Sequence, residues 1–151
     1  MTINEIYNYL YLAENLSSSG MPTAEQIDAM AKAGVRVVIN LALPTSEGAL
    51  PDEGALVESL GMKYIHIPVE WNNPMNQNLQ DFFQAMDKYK HEKIFVHCQA
   101  NFRATGFITL YRVLRLGWKK EEAFKDLYKI WDPEDYPTWK RFIEDQTTTL
   151  P

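Results

Sequence analysis

The residues best suited to chemistry in this sequence are Cys98, the only cysteine, and Arg103, which follows it after four intervening residues. Cys98 ends a short apolar run, 93–97, and precedes a predicted helix, 104–116. At such a junction the loop N–H groups and the helix N-terminus favour both a thiolate and a bound anion. An arginine adds a forked donor for two anion oxygens. A thiolate held in this field can attack phosphorus or carry sulfur.

The loop after Cys98 must curve to surround an anion. Such a loop needs a residue with positive φ, normally glycine. The stretch 98–104 contains no glycine, and Asn101 is the best substitute because asparagine is enriched in the left-handed region. We therefore predict that Asn101 makes this turn. The predicted anion-binding residues are Gln99, Ala100, Asn101, Phe102 and Ala104.

A more ordinary interpretation exists for both key residues. A lone cysteine at a strand end is often a buried, inert hydrophobe, and an arginine in a first helical turn is often a solvated surface residue. We favour the functional interpretation because the two residues occur together at a strand-to-helix junction.

The elements that must position this loop alternate between strand and helix. Hydrophobic periodicity predicts strands at 6–12, 35–41, 63–67 and 93–97, helices at 24–33, 53–60, 79–89 and 104–116, and amphipathic segments near 120–131 and 138–146. Thr23 and Gln26 form a capping box, Gly34 ends that helix, and Asn78 is a candidate cap for the third. This order predicts an α/β fold with three layers, a mainly parallel central sheet and helices on both faces. Ligands of such folds bind at the carboxyl ends of the strands, where Cys98 lies.

Length and composition limit the possible functions. The 151 residues, 46% of them hydrophobic, fit one domain, 1–151, with a core from about 6 to 146. A net charge of −5 argues against a nucleic-acid partner or an anionic membrane surface. One cysteine and three scattered histidines predict no metal site, and no cofactor is expected. The first residues show no leader pattern, so the expected compartment is the cytoplasm, or the periplasm if a leader has been removed.

Four segments together resemble the cysteine-dependent protein tyrosine phosphatases of the dual-specificity type. They are Tyr9–Ala13, Gly34–Leu41, Gly61–Val69 and the Cys98 loop, and they occur in the family's order. The resemblance is nearest to small bacterial phosphatase-like domains, a type also found fused to metallo-β-lactamase-like hydrolases. It implies a soluble phosphatase in which Cys98 is the nucleophile, Arg103 binds phosphate and no metal is needed.

The spacing between Cys98 and Arg103 departs from the family pattern, which has five intervening residues. One explanation is a loop shorter by one residue, with Arg103 in the binding role. The other keeps the register to Thr105 and Gly106, so that Ala104 occupies the arginine position and Arg103 turns away by about 100° of helix. We favour the first explanation.

The resemblance also implies a general acid on the loop after the third predicted strand, but Trp71 stands at the family's Asp position. Glu70 is adjacent and is the candidate proton donor, although a surface carboxylate would look the same. Asp132, in an Asp-Pro turn, is a second candidate, and a capping role at that turn is the preferred interpretation.

Two further residues have expected supporting roles. His97 precedes the nucleophile, as in the family, and is expected to support the loop and help keep the thiol ionised. Thr105 is expected either to donate its hydroxyl to the sulfur or to bond the helix backbone.

Three functions remain open at this point. The first is hydrolysis of a phosphomonoester through a cysteinyl-phosphate. The second is sulfur transfer through a Cys98 persulfide, which the rhodanese-like four-residue spacing and the missing Asp favour. The third is a catalytically weak module that binds a phosphorylated ligand, which the second register explanation favours. The substrate and the oligomeric state cannot be predicted from these residues.

Overall fold

The computed structural model describes residues 2–148, which form a five-stranded sheet covered by helices. The strands are β1 (Leu10–Ala13), β2 (Leu16–Ser19), β3 (Val37–Asn40), β4 (Lys63–His66) and β5 (Ile94–His97), in the order β1-β2-β5-β3-β4. All neighbours are parallel except β1 and β2. The helices are α1 (Ala24–Lys32), α2 (Glu53–Ser59), α3 (Asn76–Lys88), α4 (Phe102–Leu114), α5 (Lys120–Leu127) and α6 (Pro137–Thr147).

The predicted three-layer arrangement is confirmed by how side chains of β5 divide between two cores. Phe95 packs with Ile27 of α1 and Val57 of α2 on one face. Ile94 and Val96 belong to the other core, whose buried residues from α3, α4 and α6 include Phe82, Phe107 and Trp139. This division follows from the alternation of side chains along a strand. None of the helices in residues 2–148 is long and apolar enough to cross a bilayer.

The predicted strand at 6–12 has the wrong bounds, and the second strand of a hairpin that follows it was not predicted. β1 begins at Leu10, and β2 follows after Glu14 and Asn15 as a second, antiparallel strand. The run Ser17-Ser18-Ser19 in β2 is buried because β2 lies between β1 and β5. A run of serines shows no alternation of apolar and polar residues, so hydrophobic periodicity does not predict this strand. Pairing with β1 and β5 forms the strand despite the low strand propensity of serine.

Several helices begin or end at residues other than those predicted. α3 begins at Asn76, so Asn78 is not its cap but lies in the first turn, where its Oδ1 accepts from Met75 N at 3.0 Å. α4 begins at Phe102, two residues earlier than predicted. α5 ends at Leu127, before the predicted end near 131, and Tyr128, which follows it, is 57% exposed.

Two helix predictions are confirmed in detail. The Thr23–Gln26 capping box is present, with reciprocal bonds of 2.9 and 3.2 Å, and Gly34 has φ +92° after α1. One face of α3, in the region of the predicted helix 79–89, is buried; it consists of Leu79, Phe82, Phe83 and Met86.

Candidate active site

Cys98 lies directly after β5, at the carboxyl edge of the sheet. In register, His97 pairs with Ser19 of β2 and Asn40 of β3, so three parallel strands end around this point. Strand alternation sends His97 to the α1–α2 face, and Cys98 joins the core that contains α4. His97 and Cys98, although adjacent in sequence, therefore lie on opposite faces of the sheet.

The loop after Cys98 turns at Asn101, as predicted. Asn101 has φ 70° and ψ 6°, the left-handed region, and is the N-cap residue of α4. Its Nδ2 donates to Asn8 O at 2.8 Å, and Asn8 Nδ2 donates to Ala100 O at 3.0 Å. Asn8 also has positive φ, 51°. The two left-handed asparagines therefore link residue 8 to residues 100 and 101 and fix the loop.

The carbonyl oxygens of the loop are engaged by neighbouring donors. Gln99 O accepts from Met21 N at 2.9 Å, Ala100 O accepts from Asn8, and Cys98 O accepts from His97 Nδ1 at 3.3 Å. A bonded carbonyl faces its donor, so the negative ends of these peptides point at protein groups. This arrangement lowers the repulsion that an anion beside Cys98 would meet.

A cavity of about 360 Å³ opens beside Cys98. Within residues 2–148, Arg103 is the only cation that lines it. Arg103 Nη1 donates to Val69 O at 2.7 Å, which ties the guanidinium to the segment after β4. Ala104 is buried in the core and does not line the cavity. Among the residues that the structure describes, the lining consists of Trp71, Cys98, Gln99, Ala100, Phe102, Arg103 and Tyr136.

One wall of the cavity belongs to a cluster of five aromatic side chains, here called the aromatic cluster: Trp71, Phe102, Trp131, Tyr136 and Trp139. Trp71 is its centre, with ring centroids 5.3–5.9 Å from the other four. Phe102 stacks on Trp131 at 5.0 Å. Trp139 Nε1 donates to Trp71 O at 2.7 Å and anchors the loop that carries Glu70. Phe102 and Trp71 thus both line the cavity and contribute to packing.

Behind the loop, His97 forms a buried pair with Glu53 of α2. His97 Nε2 lies 2.7 Å from Glu53 Oε2, and the two side chains are 0% and 4% exposed. Sequence reasoning missed Glu53. The available signal was its position four residues before Val57, because residues four apart share a helix face and Val57 is buried.

The hydroxyl of Thr105 is used by the backbone. It donates to Asn101 O at 2.7 Å and accepts from Trp131 Nε1 at 2.9 Å. Of the two roles expected for Thr105, the structure therefore has the backbone bond, and the expected bond to the Cys98 sulfur is not formed. The reason is geometric, since a first-turn threonine reaches the carbonyl four residues earlier.

The candidate proton donors lie in different surroundings. Glu70 is exposed and does not line the cavity, although its neighbours Val69 and Trp71 contact Arg103 and the aromatic cluster. Asp132 is exposed, and its side chain accepts from Glu134 N at 3.0 Å, which is the preferred capping role. Tyr136, which sequence reasoning missed, is the only lining residue with a hydroxyl group in the part of the chain described.

No group of three or more His, Cys, Asp or Glu side chains within residues 2–148 is arranged to hold a metal ion. His66, considered among the scattered histidines, places Nε2 2.7 Å from Ala42 O.

Comparison with protein-family profiles matches residues 13–133 to the family described as a DSP-PTPase phosphatase fused to NAD⁺ kinase. A search of curated proteins found no match. Among solved structures, a "putative phosphatase (DUF442)" from Shewanella putrefaciens CN-32 is 37% identical, with a TM-score of 0.87 over 97% of this chain and 95% of that chain.

More distant structures share the fold. Tk-PTP in its active form is 15% identical, with a TM-score of 0.78 over 95% of this chain and 98% of that one. The catalytic domain of the PP-IP phosphatase SIW14 from S. cerevisiae is 17% identical, with a TM-score of 0.73 over 92% and 85% of the two chains.

Proposed function

The chain belongs to the cysteine-dependent protein tyrosine phosphatase superfamily, in its dual-specificity-like branch, and we propose that it hydrolyses a phosphomonoester through Cys98. The observation that carries this proposal is the cavity in which Cys98 and Arg103 meet at the N-terminus of α4. A helix N-terminus and a guanidinium together favour a bound dianion. The cavity thus supplies a nucleophile and an oxyanion site in one place.

The reaction proceeds in two displacements. The Cys98 thiolate attacks phosphorus, the bond to the leaving oxygen breaks, and that oxygen takes up a proton from a donor. Water then attacks the cysteinyl-phosphate, which breaks the S–P bond and releases phosphate and the thiolate. Arg103 and the loop N–H groups stabilise the charge on the transferred group in both steps.

Glu70 is the proposed proton donor in the first displacement. Its side chain is exposed, but it lies between Val69, whose carbonyl binds Arg103, and Trp71, which lines the cavity. To act as the donor, the Glu70 carboxyl group has to turn from its exposed position toward the cavity. The Tyr136 hydroxyl is the alternative donor because it already lines the cavity.

Arg103 is the single cation that residues 2–148 contribute to the lining, and this favours a substrate with one phosphate group. Each phosphate of a polyphosphate needs its own charge-assisted hydrogen bonds, and Arg103 alone cannot supply them for several groups. The aromatic cluster offers an apolar wall to the remainder of the substrate.

Steady-state hydrolysis of p-nitrophenyl phosphate tests the proposal. Wild type is expected to turn over, and Cys98→Ser is expected to lose turnover but still bind vanadate, because the anion site is intact. Arg103→Lys keeps the positive charge but loses the two parallel N–H donors of the guanidinium. We expect kcat/KM of this variant to fall at least about a hundredfold. Full activity of Cys98→Ser would rule out Cys98 as the nucleophile. Persulfide formation from thiosulfate in place of phosphate release would support sulfur transfer.

A further inference from the structure

The Glu53–His97 pair is buried, ionisable and next to the nucleophile, but the two displacements do not use it directly. Both side chains are almost fully inaccessible to water. Removing both charges of an ion pair from water costs free energy that their mutual attraction does not always repay. The pair is therefore expected to have a role that offsets this cost.

The hydrogen bonds constrain the protons of the pair. His97 Nδ1 faces a carbonyl oxygen, Cys98 O, which can only accept, so Nδ1 carries a proton. His97 Nε2 faces Glu53 Oε2 at 2.7 Å. One further proton lies between these two atoms. If it is on nitrogen, His97 is an imidazolium beside a carboxylate.

Few other titratable groups face the pair in the part of the chain described. Cys98 follows His97, the last residue of β5, and Tyr64 of β4 is near enough to be affected by the charge of Glu53. Burial raises the pKa of Tyr64 to about 12, and the charge of Glu53 adds to this rise against an opposing hydrogen bond from Asn40. Tyr64 therefore stays protonated at neutral pH and does not compete for the shared proton.

We propose that Glu53 is a positioning residue that holds His97 as an imidazolium, whose Nδ1–H fixes the Cys98 carbonyl and whose charge favours the Cys98 thiolate. The pair is neutral overall, but its positive charge is on His97, next to Cys98, and its negative charge is on Glu53 of α2. A Cys98 thiolate is therefore closer to the positive charge of the pair than to its negative charge, and the attraction outweighs the repulsion. This role rests on the proposed function of Cys98 as a nucleophile.

Glu53→Gln is the discriminating variant because it removes the charge and keeps the hydrogen bonds. The amide can donate to Nε2 of a neutral imidazole whose Nδ1–H still bonds Cys98 O. Glu58→Gln, exposed on the same helix, removes an equal charge and serves as the control. Circular dichroism establishes that each variant is folded.

The readout is the rate of Cys98 alkylation by iodoacetamide as a function of pH, which requires no turnover. For Glu53→Gln we expect the midpoint to move upward by about one pH unit, and for Glu58→Gln we expect no such movement. A midpoint unchanged in folded Glu53→Gln would overturn the proposal. If alkylation behaves as expected but no aryl phosphate is hydrolysed, the proposed function fails while the role of Glu53 stands.

A second measurement uses the wild-type chain alone. Nitrogen-15 NMR of the imidazole rings, assigned with His66→Gln and His91→Gln, reports whether both nitrogens of His97 are protonated. We expect an imidazolium at neutral pH, whereas a neutral ring there would overturn the proposal even if Glu53→Gln does not fold.

Discussion

Asn101 is the residue on which the shape of the Cys98 loop depends. It takes the left-handed conformation that glycine usually supplies, and its amide also bonds Asn8. The two contributions can be separated by substitution. Glycine preserves the conformation and loses the amide, whereas alanine loses both.

We expect Asn101→Ala to be less stable than Asn101→Gly by about 1 kcal/mol, because a Cβ in the left-handed region costs about that much. Urea unfolding measures the difference, and vanadate binding reports whether the loop still fits an anion. An alanine variant at least as stable as the glycine variant would contradict the assigned conformation.

The proton donor can be identified from the dependence on leaving group. If Glu70 is the acid, Glu70→Gln should slow hydrolysis of phenyl phosphate at least about tenfold more than that of p-nitrophenyl phosphate, because only the poorer leaving group needs protonation. Tyr136→Phe is the paired variant, and the same selective loss in it would assign the role to Tyr136. Equal losses on both substrates exclude the residue tested.

At the scale of elements, the Cys98 loop depends on the end of β2. Gly20 forms an isolated bridge with Ala100, and a Cβ at Gly20 would lie 2.6 Å from Gln99 O and 2.5 Å from the Tyr7 ring. The Gln99 carbonyl is backbone and cannot move without reshaping the loop.

Gly20→Ala is therefore expected to destabilise the protein by about 1–3 kcal/mol and to reduce kcat/KM, since overpacking forces backbone shifts. Gly106→Ala is the control, because a Cβ there meets Trp131 and Trp139 at an ordinary 3.5 Å within α4. Thermal unfolding and p-nitrophenyl phosphate kinetics measure both. A Gly20→Ala variant with wild-type stability and activity would show that the loop is not held by β2.

At the scale of the whole molecule, Arg112 joins α4, α5 and β1. Its side chain is 4% exposed, Nη1 bonds Asp126 Oδ2 at 2.7 Å, and Nη2 donates to Leu12 O at 3.1 Å. Burial raises the pKa of Asp126, but hydrogen bonds from Lys129 and Arg112 and their charges outweigh burial and lower it overall.

Because the folded pKa of Asp126 is lowered, its contribution to stability is complete above the unfolded value near 4 and is lost as pH falls through the folded value. We expect Asp126→Asn to cost about 2 kcal/mol at pH 7 and progressively less below pH 4. Urea unfolding across this range measures the difference, with Asp145→Asn as an exposed control. A cost independent of pH would mean that the charge of Asp126 is not what stabilises Arg112.

The sequence predicts the parts of the site whose residues are close together in the chain better than the parts that the fold brings together. Cys98, Arg103 and the turn at Asn101 lie within six residues, so their spacing alone indicates an anion-binding loop. Glu53 and Asn8 reach the same site from 44 and 92 positions away, because the parallel sheet brings distant segments to one edge. No periodicity in the sequence reports such contacts. The hairpin of β1 and β2 was missed for a related reason, since its serines are buried by pairing and not by their own hydrophobicity.

The central claim is that Cys98 forms a covalent bond to phosphorus during turnover. The most direct measurement is to mix the protein with p-nitrophenyl phosphate, quench in acid during the first turnover, and locate the added phosphate by peptide mass spectrometry. We predict one phosphate on the peptide that contains Cys98 and none in Cys98→Ser. Turnover by the wild type with no phosphate on Cys98, together with equal turnover by Cys98→Ser, would contradict the claim.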